Sequence, residues 1–375
     1  MNIAIIGGKL QGVEALYLSA KAGYRTLLVD KRQAPPGRGL CDAFVSFDFT
    51  TWPEKAPELP DDFTPDVILP ALEDKAVLRA IAQWAERINV PLAFDLDAFD
   101  LSHSKFKSDA LFQKLGLPAP RPWPQCGFPA VAKPDSASGS QGVEILYTQA
   151  DADRIIQPDA TDLVVQEFLE GPSYSIEVVG NPGNYRALQV TDLGMDAEHD
   201  CCRVTAPVDI TPEQTRAFET MALELAEAIQ LTGIMDLEVI DHDGELKLLE
   251  IDARLPSQTP MTVLASTGIN MVALLAHTFV ATAPPVPAPT ARPAHAMVEH
   301  IQVNPLEIEV LGEHIMATDG PLTHITDFFG ADEALTSYTP GKTEWVATLI
   351  FTAPDPDTLA RKRRECYNRL RALNN

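Results

Sequence analysis

Basic residues are scarce in this chain. Against 53 Asp and Glu stand 29 Lys and Arg, so the formal net charge of its 375 residues is −24, and the pI is about 4.6. Binding along a phosphate backbone needs a Lys/Arg surface, so no nucleic-acid partner is expected, nor docking to an anionic membrane. The same excess leaves room for a local basic pocket around a nucleotide. It suits cationic substrates as well as solubility. Cysteine is scarce too: Cys41, Cys126, Cys201, Cys202 and Cys366 are odd in number and form no CxxC pair. That argues against a disulfide framework and for a reducing, cytoplasmic compartment. The first residues, Met1-Asn2-Ile3-Ala4-Ile5-Ile6-Gly7-Gly8, lack the basic start and long apolar run of a signal peptide. No stretch approaches the roughly 20 apolar residues of a membrane helix. What remains is an ordinary globular composition, 45% hydrophobic and 22% charged, which excludes global disorder. At about 150 residues per domain, the length predicts two or three domains.

Apolar runs at 3–6, 26–29, 44–47 and 67–69 read as short buried strands, with helices at 13–22 and 77–88 between and after them. This alternation predicts βαβ units, a parallel sheet and a Rossmann-like α/β domain over residues 1–92. Residues 93–282 read as α+β. A helix at 108–115 ends at Gly116 and a Pro-rich stretch follows. Strands are expected at 130–133, 143–146, 163–166 and 174–179, and a helix at 212–230. A hairpin of 235–240 with 246–251 turns at Asp241-His242-Asp243-Gly244. A stiff, Pro-rich connector opens residues 283–375, with strands at 297–303 and 345–351 and a closing helix at 357–373.

Several residue sets could carry chemistry. Gly7-Gly8-Lys9-Leu10-Gln11-Gly12 lies between strand and helix, where a dinucleotide fingerprint would, and Asp30 ends the next strand. The fingerprint's middle glycine lets backbone approach a pyrophosphate. Lys9 stands there, so a nicotinamide oxidoreductase ranks last. The loop is either a tight structural turn or a ligand-facing loop. Ser136-Ala137-Ser138-Gly139-Ser140-Gln141-Gly142 follows Lys133 closely. Its small residues free backbone N–H groups for phosphate oxygens, and Lys133 adds a point charge. No Walker A pattern is present, and read alone the segment is a flexible hairpin loop. Asp236, Glu238, Glu250, Asp252 and Arg254 alternate along two neighbouring strands, which aims several carboxylates into one space. Like charges so close repel unless a cation sits between them. Hard oxygen ligands suit Mg²⁺, with nucleotide phosphates completing its shell. His199-Asp200-Cys201-Cys202 has metal-ligand residue types at a spacing unsuited to zinc, and reads as a substrate-facing loop. Arg361-Lys362-Arg363-Arg364 reads as a solvated helix face.

Taken in order, these features resemble the ATP-grasp carboxylate–amine ligases over nearly the whole chain. The resemblance implies a pre-ATP-grasp domain at 1–92, an ATP-grasp domain at 93–282 with a lid subdomain at about 118–170, and a small C-terminal lobe. It implies ATP contacts from Lys105 and Lys133, from Ser138 and Gly139 in the lid loop, and from a hinge of Gln166, Glu167, Phe168, Leu169 and Glu170. It implies Mg²⁺ ligation by Glu238, Glu250 and Asp252, and charge neutralisation by Arg254 and Lys133 at the reacting phosphate. Asp252 stands where the family more often has Asn, and Ser173-Tyr174-Ser175 stand where an acidic residue often binds ribose.

Within that family, the 7–12 loop, Gly233-Ile234-Met235-Asp236 and the run Glu250-Ile251-Asp252-Ala253-Arg254-Leu255-Pro256-Ser257-Gln258-Thr259-Pro260 are similar to the ligases of pyrrolysine biosynthesis. Those enzymes join 3-methyl-D-ornithine to the ε-amine of L-lysine. This closer resemblance implies that Lys9, Asp30, Asp48 and Phe49 lie near ATP. It places Leu10, Gln11, Glu73 and Asp74 near L-lysine, and Ser257 and Thr259 at the substrates. Both substrates are cationic amino acids, so further acidic residues are required, and Glu177 and Asp236 are the candidates. The implied chemistry is phosphorylation of a carboxylate by ATP, attack by the amine and loss of phosphate, with the protein positioning and neutralising charge. A homo-oligomer is compatible with this reading. The alternatives are another amino-acid or dipeptide ligase, and a non-catalytic nucleotide- or amino-acid-binding protein. The joint presence of Lys105, Lys133, Glu238, Glu250 and Arg254 speaks against the second.

Overall fold

The computed structural model describes residues 1–136, 142–156, 162–286 and 294–372. The chain opens with β1 (Asn2–Ile6), α1 (Leu10–Lys21), β2 (Arg25–Asp30), β3 (Ala43–Ser46), β4 (Val67–Pro70) and α2 (Lys75–Arg87). The strands pair in parallel in the order β3-β2-β1-β4. Alternate residues of β1 face opposite ways. Ile3 and Ile5 pack with Leu16 of α1, while Ala4 and Ile6 pack with Ile81 and Trp84 of α2. Burial on both faces is why these strands are apolar throughout. The turn from β1 into α1 depends on glycine. Gly7 has φ +106, and a Cβ on it would meet the Ala71 carbonyl oxygen at 2.5 Å; a Cβ on Gly12 would meet the Gly7 carbonyl oxygen at 2.0 Å.

α3 (Leu96–Ser102) and α4 (Lys105–Leu115) lead to a small antiparallel sheet, ordered β6-β5-β7. Its strands are β5 (Ala130–Pro134), β6 (Glu144–Leu146) and β7 (Leu163–Glu167), with α5 (Gln149–Ile155) packed on it. The remaining strands build one large sheet. They are β8 (Ser173–Asn181), β9 (Asn184–Ala187), β10 (Thr191–Met195), β11 (Cys201–Ala206), β12 (Gly233–His242), β13 (Glu245–Asp252), β14 (His295–Val303), β15 (Ile308–Val310), β16 (Thr323–Thr326), β17 (Glu333–Thr336) and β18 (Trp345–Ala353). The main path runs β13-β12-β8-β10-β11-β14-β18-β17-β16.

α6 (Pro212–Ala228) seats Phe218, Met221 and Leu225 on Ile176, Val178, Leu237, Val239 and Ile251 of this sheet. The residues between those apolar ones therefore point to the opposite face. α7 (Thr259–Thr267) and α8 (Met271–Phe279) are buried between the large sheet and α1. Both are buried almost all round, with small hydroxyl side chains among the apolar ones of α7, so neither shows a polar outer face in the sequence.

The segment after the connector forms no separate sheet. β14 pairs with β11 through Val204 opposite Val298, so the C-terminal strands extend the central sheet. The closing helix α9 (Pro356–Arg371) packs on β14 and β18. The 361–364 run is not a solvated face throughout. Arg363 donates from Nε and Nη2 to the fully buried Glu299 at 2.8 Å each, and Lys362 pairs with Asp332.

A Cβ at Gly12 has only backbone to displace. Gly12→Ala is therefore expected to destabilise the protein by about 1–3 kcal/mol, the usual cost of overpacking, read from the midpoint of urea unfolding. An unchanged midpoint would show that α1 slides away from the loop at no cost.

Candidate active site

Strand register sets the site. Asp236 lies opposite Asp252 and Glu238 opposite Glu250 across β12 and β13; on the other side Asp236 lies opposite Glu177 and Glu238 opposite Ser175 of β8. Two transverse rows result, Glu177-Asp236-Asp252 and Ser175-Glu238-Glu250, on the face away from α6. The hairpin closes through Asp243 at φ +54 and Gly244 at φ +88, the left-handed pair that a two-residue turn requires.

The rows are electrostatically tense. Burial, with Glu250 and Asp252 beside it, pushes Glu238 up to about 8. Burial lifts Asp252 to about 7 and Asp236 well above its ordinary value, against the pull of Arg254. Burial raises Glu177 to about 7, with the Thr259 and Ser175 hydroxyls nearby opposing the rise. Neither oxygen of Glu177, nor Asp236 Oδ1, makes a hydrogen bond of ordinary geometry among the described residues. Arg254 is the main counter-charge. Its Nη2 lies 2.9 Å from Asp252 Oδ2, and its Nε 2.7 Å from Glu73 Oε1 of the first domain. Lys105 Nζ lies 3.7 Å from Glu250 Oε2. Lys133 is buried on β5; burial lowers its pKa, and Glu250 and Asp109 oppose that. With its amide oriented to suit both neighbours, Gln166 accepts from Lys133 and donates to Asp109, each at 3.2 Å.

Buried, under-partnered carboxylates fit a cation. Among the described residues, no three Asp, Glu, His or Cys side chains are arranged to hold a metal ion by themselves. Mg²⁺ takes much of its shell from phosphates and water.

A cavity of about 550 Å³ opens at the C-terminal ends of β1, β2 and β4, where open α/β sheets present ligand contacts. Lys9, Leu10, Gln11, Asp30, Asp48, Phe49, Glu73 and Asp74 all line it. Several of their carboxylates also hold backbone. Asp30 accepts from Gly8 N at 2.7 Å and Arg32 N at 2.8 Å. Asp48 accepts from Thr50 N, and Asp74 caps α2 by accepting from Ala76 N and Val77 N. Phe49 is mostly core, edge-on to Trp84 at 5.5 Å. Asp74, and not its neighbour Glu73, is thus the residue that starts α2. Glu73 instead turns to Arg254, and accepts from Gln11 Nε2 at 2.7 Å.

A second cavity, about 120 Å³, is lined by Asp236, Glu238, Glu250, Asp252 and Thr259, and also by His199 and Cys201. Asp200, Arg254, Ser257 and Glu313 line both cavities, so the two share a wall. Glu177 is fully buried behind Asp236 and lies on neither lining. Lys105, Lys133 and the hinge also stand outside both.

The hinge is fixed by its own side chains. Burial works to raise Glu167, but Arg121 at 2.9 Å and Lys247 at 3.2 Å hold it down to about 2. Phe168 N donates to Pro129 O, Leu169 is buried, and Glu170 O lies 3.0 Å from His242 Nδ1. Ser138 and Gly139 lie outside the described residues.

Two site carboxylates were missed in the sequence. Glu313, in the short 3-10 helix Glu313–Ala317, accepts at Oε2 from Ser257 Oγ at 2.6 Å and Gln258 Nε2 at 3.0 Å. Nothing in its local sequence marks it. Glu14 of α1 is buried and accepts from Gln258 N at 3.1 Å and Met261 N at 2.6 Å. Its one signal was a charge inside the apolar run Val13 to Leu18.

The ATP-grasp domain family matches residues 102–258. The 3-methyl-D-ornithine–L-lysine ligase of Methanosarcina acetivorans is 32% identical, covering 97% of this chain and 96% of its own length. That of Methanosarcina barkeri is 38% identical over 74% of this chain and 73% of its own. Two solved structures share the fold. An ADP complex of N5-carboxyaminoimidazole ribonucleotide synthetase superposes with TM-score 0.69 at 15% identity, covering 97% of this chain and 96% of its own. The biotin carboxylase domain of Hydrogenobacter thermophilus 2-oxoglutarate carboxylase, with MgADP, superposes with TM-score 0.72 at 14% identity, covering 97% and 89%.

Raised carboxylate pKa values mean that the folded state holds more protons than the unfolded chain between about pH 4.5 and 8. Stability is then full below the ordinary carboxylate range and is lost as pH rises through the folded values of about 7 to 8. The ligand-free protein is expected to melt progressively lower from pH 5.5 to 8.5, with Glu177→Gln flattening part of the fall. A melting temperature flat across that range in both proteins would contradict the buried-carboxylate picture.

Proposed function

Since this chain belongs to the 3-methyl-D-ornithine–L-lysine ligases, a group of ATP-grasp enzymes, we propose that its two adjoining cavities activate 3-methyl-D-ornithine and hand its carboxyl group to the ε-amine of L-lysine. The observation that carries the reading is the shared wall. An acid-lined cavity beside Lys105 and Arg254 borders a larger cavity at the strand ends of the first domain, as a two-substrate ligation requires.

When bound, ATP with Mg²⁺ supplies the phosphoryl group that converts an unreactive carboxylate into an acyl phosphate. Glu238, Glu250 and Asp252 would hold the metal ion. Lys105 and Lys133 would meet phosphate oxygens, with Gln166 setting the direction of Lys133. Because the Glu167 carboxylate is committed to Arg121 and Lys247, the hinge would contact adenine through backbone groups from Glu167 to Glu170. Ser138 and Gly139 would contact ATP phosphate oxygens through backbone N–H groups. Lys9, Asp30, Asp48 and Phe49 line the larger cavity and not the hinge groove; there they would face nucleotide beside the lysine, Lys9 contributing the charge.

Arg254, held between Asp252 and Glu73, would balance negative charge at the reacting phosphate. Asp236 would receive an ammonium group of the ornithine, which restores its ionised form and offsets the cost of burying it. Glu177 would act through Asp236, and Ser257 and Thr259 would border the same substrate. L-Lysine would occupy the larger cavity, with Leu10 and Gln11 beside it and Glu73 facing its α-ammonium. There it competes with Arg254 for the same carboxylate oxygen. The capped Asp74 would help by fixing the loop. All five cysteines are free, which supports a reducing, cytoplasmic setting.

ADP and phosphate release that needs both D-ornithine and L-lysine is the expected assay result. A wider amino-acid panel turning over equally well would favour a general dipeptide ligase. Glu250→Gln is expected to lower turnover about 100-fold, the scale of losing one charge-stabilising group, with melting temperature near wild type. Near-wild-type turnover at low Mg²⁺ would remove Glu250 from the metal site. Glu73→Ala is expected to raise KM for lysine about tenfold, roughly one charge-assisted hydrogen bond, while KM for ATP stays put. An unchanged lysine KM would place lysine elsewhere.

A further inference from the structure

Lysine carries its ε-nitrogen as an ammonium near neutral pH, with no lone pair to attack an acyl phosphate. An amide can form only after a proton leaves that nitrogen, so an acceptor is needed where the two cavities meet. The shared wall offers two carboxylates, Asp200 and Glu313. Asp200 is committed: its Oδ2 lies 2.6 Å from His314 Nδ1 and also accepts from His314 N. Glu73 and Asp252 are paired with Arg254. Glu313 differs. Among the described residues it makes no ion pair, and its hydrogen bonds, from Ser257 Oγ and Gln258 Nε2, both go to Oε2. Two neutral donors thus orient the carboxylate while leaving Oε1 for the cavities.

We propose that Glu313 is the proton acceptor for the ε-ammonium of lysine, a role that rests on lysine occupying the larger cavity. One proton passes from the ε-nitrogen to Glu313. The freed lone pair forms the C–N bond at the acyl carbon, the bond from that carbon to the phosphate oxygen breaks, and phosphate leaves. The second proton lost by nitrogen departs with the phosphate.

The groups facing Glu313 suit the task. Asp200 and Cys201 approach from the start of β11, Glu238 from β12, Arg254 from the end of β13, and Glu14 from α1. Burial and Asp200 raise its affinity for a proton, while Ser257, Gln258 and Arg254 moderate the rise. Glu14 fixes the platform. It accepts from the backbone N–H groups of Gln258 and Met261, on either side of Thr259, and Gln258 itself stands at φ +71 with Thr259 N donating to Ser257 O.

Hydroxylamine separates the proton step from acyl-phosphate formation, because it is already unprotonated at pH 7.5. With ATP, Mg²⁺ and D-ornithine, the full-length Glu313→Gln variant is expected to form hydroxamate within about threefold of wild type. Its amide formation with lysine should fall about 100-fold or more, the scale of lost general-base catalysis. That deficit should shrink about tenfold per pH unit as the pH climbs toward the lysine pKa near 10. Glu313→Asp, which keeps the acid on a shorter arm, should retain more lysine reaction than Glu313→Gln. Equal loss of hydroxamate and amide, a deficit seen only in KM for lysine, a pH-independent deficit, or the reverse order of the two variants would each overturn the assignment. Failure of the wild-type enzyme to make any hydroxamate would instead remove the underlying ligase reading, and the acceptor with it.

Discussion

Glu177, Asp236, Glu238, Glu250 and Asp252 share one face of three adjacent strands, and the rest of the molecule is arranged around their mutual repulsion. The register that places them is not free to slip. Moving β12 by one residue would turn Asp236 and Glu238 into the apolar layer under α6 and expose Leu237 and Val239. The hydrophobic packing of α6 therefore holds the acids in place. On the acid side, Arg254, Lys105 and Lys133 supply part of the opposing charge. The remainder falls to protons in the ligand-free protein, and by our proposal to Mg²⁺ and substrate ammonium groups in the working enzyme.

The first domain is tied into this site by charge rather than appended to it. Glu73 crosses to Arg254, so the residue facing Asp252 is held from both sides. Glu14 crosses from α1 to the backbone of Gln258 and Met261. The turn at Gln258, φ +71 and ψ −52, is a three-residue γ-turn of the strained hand. Such geometry persists only where surrounding contacts over-determine it, and here Glu14, Glu313 and the Cys201 carbonyl oxygen do so. The consequence is a rigid Ser257-Gln258-Thr259 platform between the two cavities.

What could be read in the sequence follows from period and punctuation. The parallel strands of the first domain announced themselves as apolar runs, because both faces are buried. The hairpin carrying Asp236 to Asp252 showed through acids two residues apart on each strand and an Asp-Gly turn; the bulge that leaves Leu249 unpaired between Leu248 and Glu250 did not show. Contributions from distant elements were invisible. Glu313 reaches the site only because β14 joins β11 and so brings the 3-10 helix beside Asp200. That pairing is long-range, so the sequence showed the C-terminal strands without their partners in the central sheet. Charge alone also misled: the 361–364 run read as solvent-facing, yet Arg363 neutralises a carboxylate with no exposed surface. Glu73 and Asp74 are adjacent in sequence and equivalent in type, and only the direction of each side chain distinguishes the helix cap from the partner of Arg254.

Acyl-phosphate chemistry in this groove is most directly tested by oxygen tracing. D-Ornithine carrying ¹⁸O in both carboxylate oxygens would be turned over with ATP, Mg²⁺ and L-lysine, and the phosphate analysed by mass. Transfer through an acyl phosphate predicts one ¹⁸O in each phosphate released and one left in the amide carbonyl. Phosphate free of label, with amide still formed, would contradict it.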